Sequence, residues 1–148
     1  MKRNRIWRVL FMAYCAMMLW LLFDRSGSTE GVPYWVQVTQ SINLVPFHTI
    51  LTYTELLTSS REILVRLAVI NLFGNVIMFI PLGFLLPQVF LKLSKLWWVL
   101  LTTALAIAAV EILQLFTLLG SCDIDDLILN LLGAAIGYGI YRMKKPAQ

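Results

Sequence analysis

Glu111 interrupts an apolar run from Ala108 to Phe116 that otherwise contains one polar residue, Gln114, and the acidic run Asp123, Asp125 and Asp126 opens the next apolar stretch. Carboxylates so placed can act as general acids or bases, as hard oxygen ligands for Mg²⁺, Ca²⁺ or Mn²⁺, or as acceptors for a bound ligand. Placing such a group in hydrocarbon costs about 2.5–3.5 kcal/mol for Asp on insertion scales, so these residues face partners, a wet cavity or a ligand. Around them the sequence offers Asn71 and Asn75 in one neighbouring apolar segment and Asn130 in another.

Helical spacing sorts these groups by face, because residues three, four or seven apart share a side. Asn71 aligns with Asn75, and Glu111 with Gln114. Asp123, Asp126, Asn130, Gly133 and Gly137 follow spacings of 3, 4, 3 and 4, one stripe from which Asp125 points away. Depth agrees as well. At a rise of 1.5 Å per residue, Asn71 and Asn75 fall about 7.5 and 13.5 Å below Arg66, Gln114 and Glu111 about 9 and 13.5 Å below Gly120, and Asn130 about 10.5 Å below Asp123. Three helices are thus predicted to present polar faces at one level. Each amide alone is explained by interhelical glue, worth about 0.6–2 kcal/mol. Asp123 and Asp126 also suit an N-cap and an N3 acid. Glu111 is the exception, since glue needs no ionisable group.

The chain that must position them has 148 residues, 59% of them hydrophobic and only 14% charged, which points to lipid rather than water as the solvent. Four apolar stretches, about Ile6–Phe23, Arg66–Leu86, Leu96–Leu119 and Ile124–Tyr141, approach or exceed the ~20 residues needed to cross a bilayer. An all-α, four-span membrane domain filling residues 1–148 is the expectation. Of the twelve basic residues, Lys2, Arg3, Arg5, Arg8, Lys92, Lys95, Arg142, Lys144 and Lys145 fall at one side and only Arg25, Arg61 and Arg66 at the other. Seven of the eight acids (Asp24, Glu30, Glu55, Glu62, Asp123, Asp125 and Asp126) lie opposite the nine. Both termini are therefore predicted to be cytoplasmic. The net charge of +4 is accounted for by topology and anionic lipid headgroups, so no nucleic-acid partner is expected.

Residues 24–60 form the long external segment. Trp35, Ile42, Leu44, Val45, Phe47, Ile50 and Leu51 make it too apolar for a linker, so it is expected to lie at the outer interface, with Pro46 breaking any helix. Thr52-x-x-Glu55 and Ser59-x-x-Glu62 match the capping box. In the second span Pro81 should kink the helix and requires another group to serve the carbonyl it frees. Gly133-x-x-x-Gly137 permits close helix contact. Cys15 and Cys122 sit at different depths and are expected to stay unpaired. His48 belongs at the interface, and no zinc spacing, nucleophile elbow or phosphate loop is present.

Asn43-x-x-Pro46-Phe47, then Asn71-x-x-Gly74-Asn75-x-x-x-Phe79-x-Pro81-x-Gly83, Glu111-x-x-Gln114, and Asp123-x-Asp125-Asp126-x-x-x-Asn130-x-x-Gly133-x-x-x-Gly137-Tyr138 together resemble the VanZ-like membrane protein family. The likeness runs from Asn43 to Tyr138. It implies a multi-pass protein of the bacterial cell membrane, related to a protein associated with low-level teicoplanin resistance. Many members carry an arginine between the glutamine and the acidic run, where this chain has Gly120, Ser121 and Cys122; Arg61 or Arg66 is the alternative cation.

Three functions compete at this level. The first is a non-enzymatic envelope protein whose outer-leaflet polar cluster (Glu111, Gln114, Asp123, Asp126, Asn130, Asn71 and Asn75, with Asn43 and Arg66 secondary) binds a lipid-like or lipoglycopeptide ligand. The second is a membrane enzyme working on a lipid headgroup or lipid-linked wall precursor, with Glu111, Asp123 and Asp126 as acid/base groups or ligands of a divalent cation. Carboxylates without a clear nucleophile are a weak enzyme signature, and no cofactor is otherwise expected. The third, a small proton-coupled drug transporter, fits least, because its usual first-helix glutamate is missing from Ile6–Phe23. Sequence leaves the oligomeric state open.

Overall fold

The computed structural model describes residues 2–23 and 31–144, the side chains of 2–4, 22 and 23 excepted. Asp24, Arg25, Glu30 and Lys145, and the side chains of Lys2 and Arg3, therefore lie outside the described residues. Six α-helices follow in order: α1 (Lys2–Phe23), α2 (Tyr34–Gln40), α3 (His48–Leu56), α4 (Glu62–Val89), α5 (Leu96–Thr117) and α6 (Ile124–Lys144). Among the described residues α4, α5 and α6 are long and apolar enough to cross a membrane. The helix at the expected first span, α1, has 22 residues and packs along α4.

Lipid as solvent explains what faces outward. On α4, Ile63, Ile70 and Ile77 recur every seventh residue and are each more than three-fifths exposed; on α5, Leu105, Ile112, Leu113 and Phe116 are each more than half exposed. Such a continuous apolar surface is untenable in water and ordinary in a bilayer.

Inward, the bundle is organised by α4 against α6. A Cβ at Gly83 would collide with the Ala134 carbonyl, at Gly133 with that of Val76, and at Gly137 with that of Ile80. The two helices therefore run parallel with backbones in contact, which only glycine permits. α1 runs antiparallel to α4, joined by Trp7 edge-on to Phe84 (5.8 Å) and Phe11 edge-on to Phe90 (5.6 Å). The Tyr14 hydroxyl donates to the Met78 carbonyl at 2.8 Å, next to the Ile77 carbonyl that Pro81 cannot serve. α4 stays helical through both Pro81 and Pro87.

One end of the bundle gathers the start of α1, the α4–α5 turn and the end of α6. Lys144 lies 5.2 Å from the Phe84 ring centre, and the Tyr138 hydroxyl donates to the Ser94 carbonyl at 2.9 Å. At the other end, α2 and α3 cover the bundle, and β1 (Ile42–Asn43) pairs in parallel with β2 (Cys122–Asp123).

Several local expectations need correction. Thr52 does not start a helix: it lies inside α3, its hydroxyl donating to the His48 carbonyl at 2.8 Å, because α3 begins four residues earlier. Ser59 does not cap α4, whose N-cap is Arg61; its hydroxyl oxygen accepts from the Arg61 amide at 3.2 Å in the preceding turn. α4 runs from Glu62 to Val89, extending past the apolar stretch 66–86 at both ends, and Arg66 pairs with Glu62 one turn away at 2.7 Å. α5 stops at Thr117 rather than Leu119, where Leu118 turns left-handed (φ 56°) and the Leu119 amide reaches back to the Gln114 carbonyl at 3.0 Å.

Candidate functional site

Two polar assemblies occupy the end covered by α2 and α3. The upper one is a junction. Asp123 directly precedes α6 and caps it, Oδ1 accepting from the Asp125 amide at 2.9 Å. Its Oδ2 accepts from the Thr49 hydroxyl at 2.6 Å and the Asn43 amide at 3.2 Å, while Asn43 also donates to Thr49 at 2.7 Å. Asp125, with no exposed surface, turns the other way and accepts three backbone amides of the α3 start: Phe47 at 2.5 Å, Thr49 at 2.8 Å and Ile50 at 3.1 Å. A helix N-terminus has orphan donors, and here a carboxylate from another helix satisfies them. The same contact holds Phe47 in the left-handed region (φ 66°), where a bulky residue is strained.

The lower assembly is a cavity of about 310 Å³ bounded by α1, α4, α5 and α6. Its polar wall is Asn75 from α4, Glu111 and Gln114 from α5, Asp126 and Asn130 from α6, and Ser121 from the intervening loop. Its apolar wall includes Tyr14, Met18, Phe79, Leu82 and Ile107. The Asn75 amide donates to Asp126 at 2.6 Å, bridging α4 to α6. Glu111 Oε2 faces the Cys122 thiol at 3.8 Å, whereas Glu111 Oε1 and Asn130 Oδ1 are buried without a hydrogen-bond partner. Burial first, then the Glu111 carboxylate beside it, pushes the Cys122 thiol above its ordinary pKa. Both cysteines are free, and Cys15 also lines the cavity.

Of the residues the sequence nominated, Glu111, Gln114, Asp126, Asn130 and Asn75 meet in the cavity. The others stand elsewhere. Asp123 and Asn43 belong to the junction, Asn71 donates to the Tyr53 hydroxyl of α3 at 3.1 Å, and Arg66 pairs with Glu62 on an exposed face. The stripe on α6 therefore divides by partner: Asp123 serves α3 and Asn43, Asp126 and Asn130 the cavity, Gly133 and Gly137 the α4 backbone. Asp125, set aside for pointing off the stripe, is the most deeply buried acid described. Its partners lie up to 78 residues away, so periodicity holds no signal for it. Thr49 was likewise passed over. Among the described residues no three His, Cys, Asp or Glu side chains group as a metal site.

A helical bundle that shows lipid-facing apolar surface outside and encloses a carboxylate-bearing cavity defines an integral membrane protein. The family profile VanZ/LLP1 matches residues 11–145, and the chain belongs to the VanZ/LLP1 family. Neither a curated protein nor a solved structure matches it significantly.

Proposed function

We propose that this protein is a four-span protein of the bacterial cell membrane, with both termini cytoplasmic, whose cavity in the outer half of the bilayer binds a lipid-like or lipoglycopeptide molecule and so contributes to teicoplanin resistance. One observation carries the binding reading: side chains from three helices, Asn75, Glu111, Gln114, Asp126 and Asn130, line a single cavity whose other wall is apolar. A cavity with both characters suits an amphiphile, since the polar wall orients a headgroup and the apolar wall removes a chain from water. Sidedness supports the placement. Arg5, Arg8, Lys92, Lys95, Arg142 and Lys144 cluster at the end away from α2 and α3, as a cytoplasmic face requires. Family membership supports the link to glycopeptides, and teicoplanin's acyl chain makes it an amphiphile of the required kind.

The test is a teicoplanin susceptibility assay in a host that depends on this protein, with membrane levels matched by immunoblot. Glu111→Gln and Asn130→Leu are expected to lose protection, while Ile70→Ala on the lipid face keeps it. Full protection by Glu111→Gln would refute the assignment. Reporter fusions at Gln148 and Gly31 test the topology, the first active only inside and the second only outside.

A further inference from the structure

The end of the bundle away from α2 and α3 carries a second recess. It holds about 470 Å³ and is lined by Arg8 of α1, by Val89 and Phe90 where α4 stops, and by the turn Leu91, Lys92 and Leu93. Its shape follows from local structure. Phe11, one turn after Arg8, packs edge-on against Phe90 and holds α1 beside the end of α4, and the chain then tightens into a 3₁₀ turn over Leu91–Leu93. Two cations from different elements thus come to line one space.

Neither is engaged internally. Among the described residues the Arg8 and Lys92 side chains have no ion-pair or hydrogen-bond partner. No acid stands near enough to supply one. Along α5 the first carboxylate after Lys95 is Glu111, and along α6 the last before Arg142 is Asp126, each sixteen residues away or about 24 Å of helix. That exceeds the ~8 Å Debye length of physiological salt, so this end is not neutralised from within.

The walls indicate what kind of anion fits. Beside the cations the lining is apolar, and Phe90 and Leu91 are 46% and 71% exposed, a surface suited to an acyl chain rather than to water. Trp97 and Trp98 in the first turn of α5 are 52% and 38% exposed, which sets this end at headgroup depth, where indole rings concentrate. A free anion gains nothing from Phe90 and Leu91, whereas a phospholipid phosphate arrives at this depth with a chain attached. Arg8 offers a planar fork to two phosphate oxygens and Lys92 a point charge. An ethanolamine headgroup would add an ammonium beside these cations with no carboxylate to receive it.

We infer that this recess binds a glycerophospholipid of net negative charge, Arg8 and Lys92 taking the phosphate while Phe90 and Leu91 take the start of an acyl chain. Native mass spectrometry of the full chain in an uncharged detergent tests this with an equimolar mixture of phosphatidylglycerol and phosphatidylethanolamine carrying the same acyl chains. The wild type should retain phosphatidylglycerol about 30-fold better, which is about 1 kcal/mol for each cation. Arg8→Gln and Lys92→Gln should each cut that preference about fivefold. Arg142→Gln removes the same charge from the same end but outside the recess, and should change it by no more than about twofold. All three positions are exposed, so folding is preserved. Inorganic phosphate at the same concentration should neither be retained nor displace phosphatidylglycerol. Equal retention of the two lipids would overturn the site, as would equal losses in Arg142→Gln and Arg8→Gln, which would leave only a diffuse positive face. Displacement by inorganic phosphate would overturn the lipid as its ligand. Detergent has no sides, so these outcomes are independent of the topology and of what the other cavity binds.

Discussion

Replacing Asp125 should release α3 from the bundle while leaving the long helices intact. Its carboxylate accepts from the Phe47, Thr49 and Ile50 amides, three donors that nothing else described satisfies. Hydrogen bonds to a charged acceptor are worth about 1.5–3 kcal/mol each, but α3 is only partly buried and water can replace part of what is lost. A value near the low end, about 3–4 kcal/mol for Asp125→Ala, is therefore expected, above the ~2 kcal/mol ceiling of single cap deletions because three amides share this acceptor. Asp125→Asn keeps one acceptor oxygen and should lose roughly half as much. Hydrogen exchange read by mass spectrometry in detergent resolves this locally. A loss of about 3–4 kcal/mol raises the opening constant of the peptide covering 44–56 by roughly two to three orders of magnitude, while peptides within α4 and α6 hold their protection. Unchanged exchange at 47–50 in Asp125→Ala, or identical effects of Ala and Asn, would refute this account of the junction.

The helix contact and the thiol give further checks. Ala at Gly83, Gly133 or Gly137 meets a backbone carbonyl and should cost about 1–3 kcal/mol or more in thermal unfolding, whereas Gly139→Ala, with nothing within 4 Å of the added carbon, should be neutral or gain up to ~1 kcal/mol from helix propensity; equal effects at Gly137 and Gly139 would disprove backbone contact as the cause. In a Cys15→Ala background, Cys122 should alkylate more slowly at pH 8 than an unperturbed thiol, because its raised pKa leaves less thiolate. Glu111→Gln removes the neighbouring carboxylate, so the midpoint of the rate profile should move to lower pH and the rate at pH 8 should rise; an unmoved profile would contradict the Glu111–Cys122 contact.

Much of the cavity was legible because helical periodicity is a local property. Glu111 and Gln114 share a face by spacing alone, as do Asp126 and Asn130, and Gly133 with Gly137 signalled a close neighbour. The junction was not legible for the converse reason. Asp123 reads equally well as a simple cap and as a tertiary ligand, and the structure makes it both. Asn71, one turn from Asn75, reads as part of the same cluster, yet α3 supplies Tyr53 within reach and takes it away. The Thr52-x-x-Glu55 pattern misled because α3 begins four residues earlier and draws its cap from Asp125, far along the chain, rather than from its own sequence.

Apolar length, the placement of charge and helical repeat are written along the chain, so the sequence by itself determined the long helices, their lipid setting and which side chains share a face. Which helices touch, and so which polar groups find partners, depends on where backbones can approach. That was decided by glycines at α4 and α6 and by the paired strands that bring residues 42–43 beside 122–123. Burial then divided the acids, Asp123 and Asp125 tying the bundle to α3 while Glu111 and Asp126 face the cavity, because a carboxylate removed from water turns to whichever donors the packing leaves within reach.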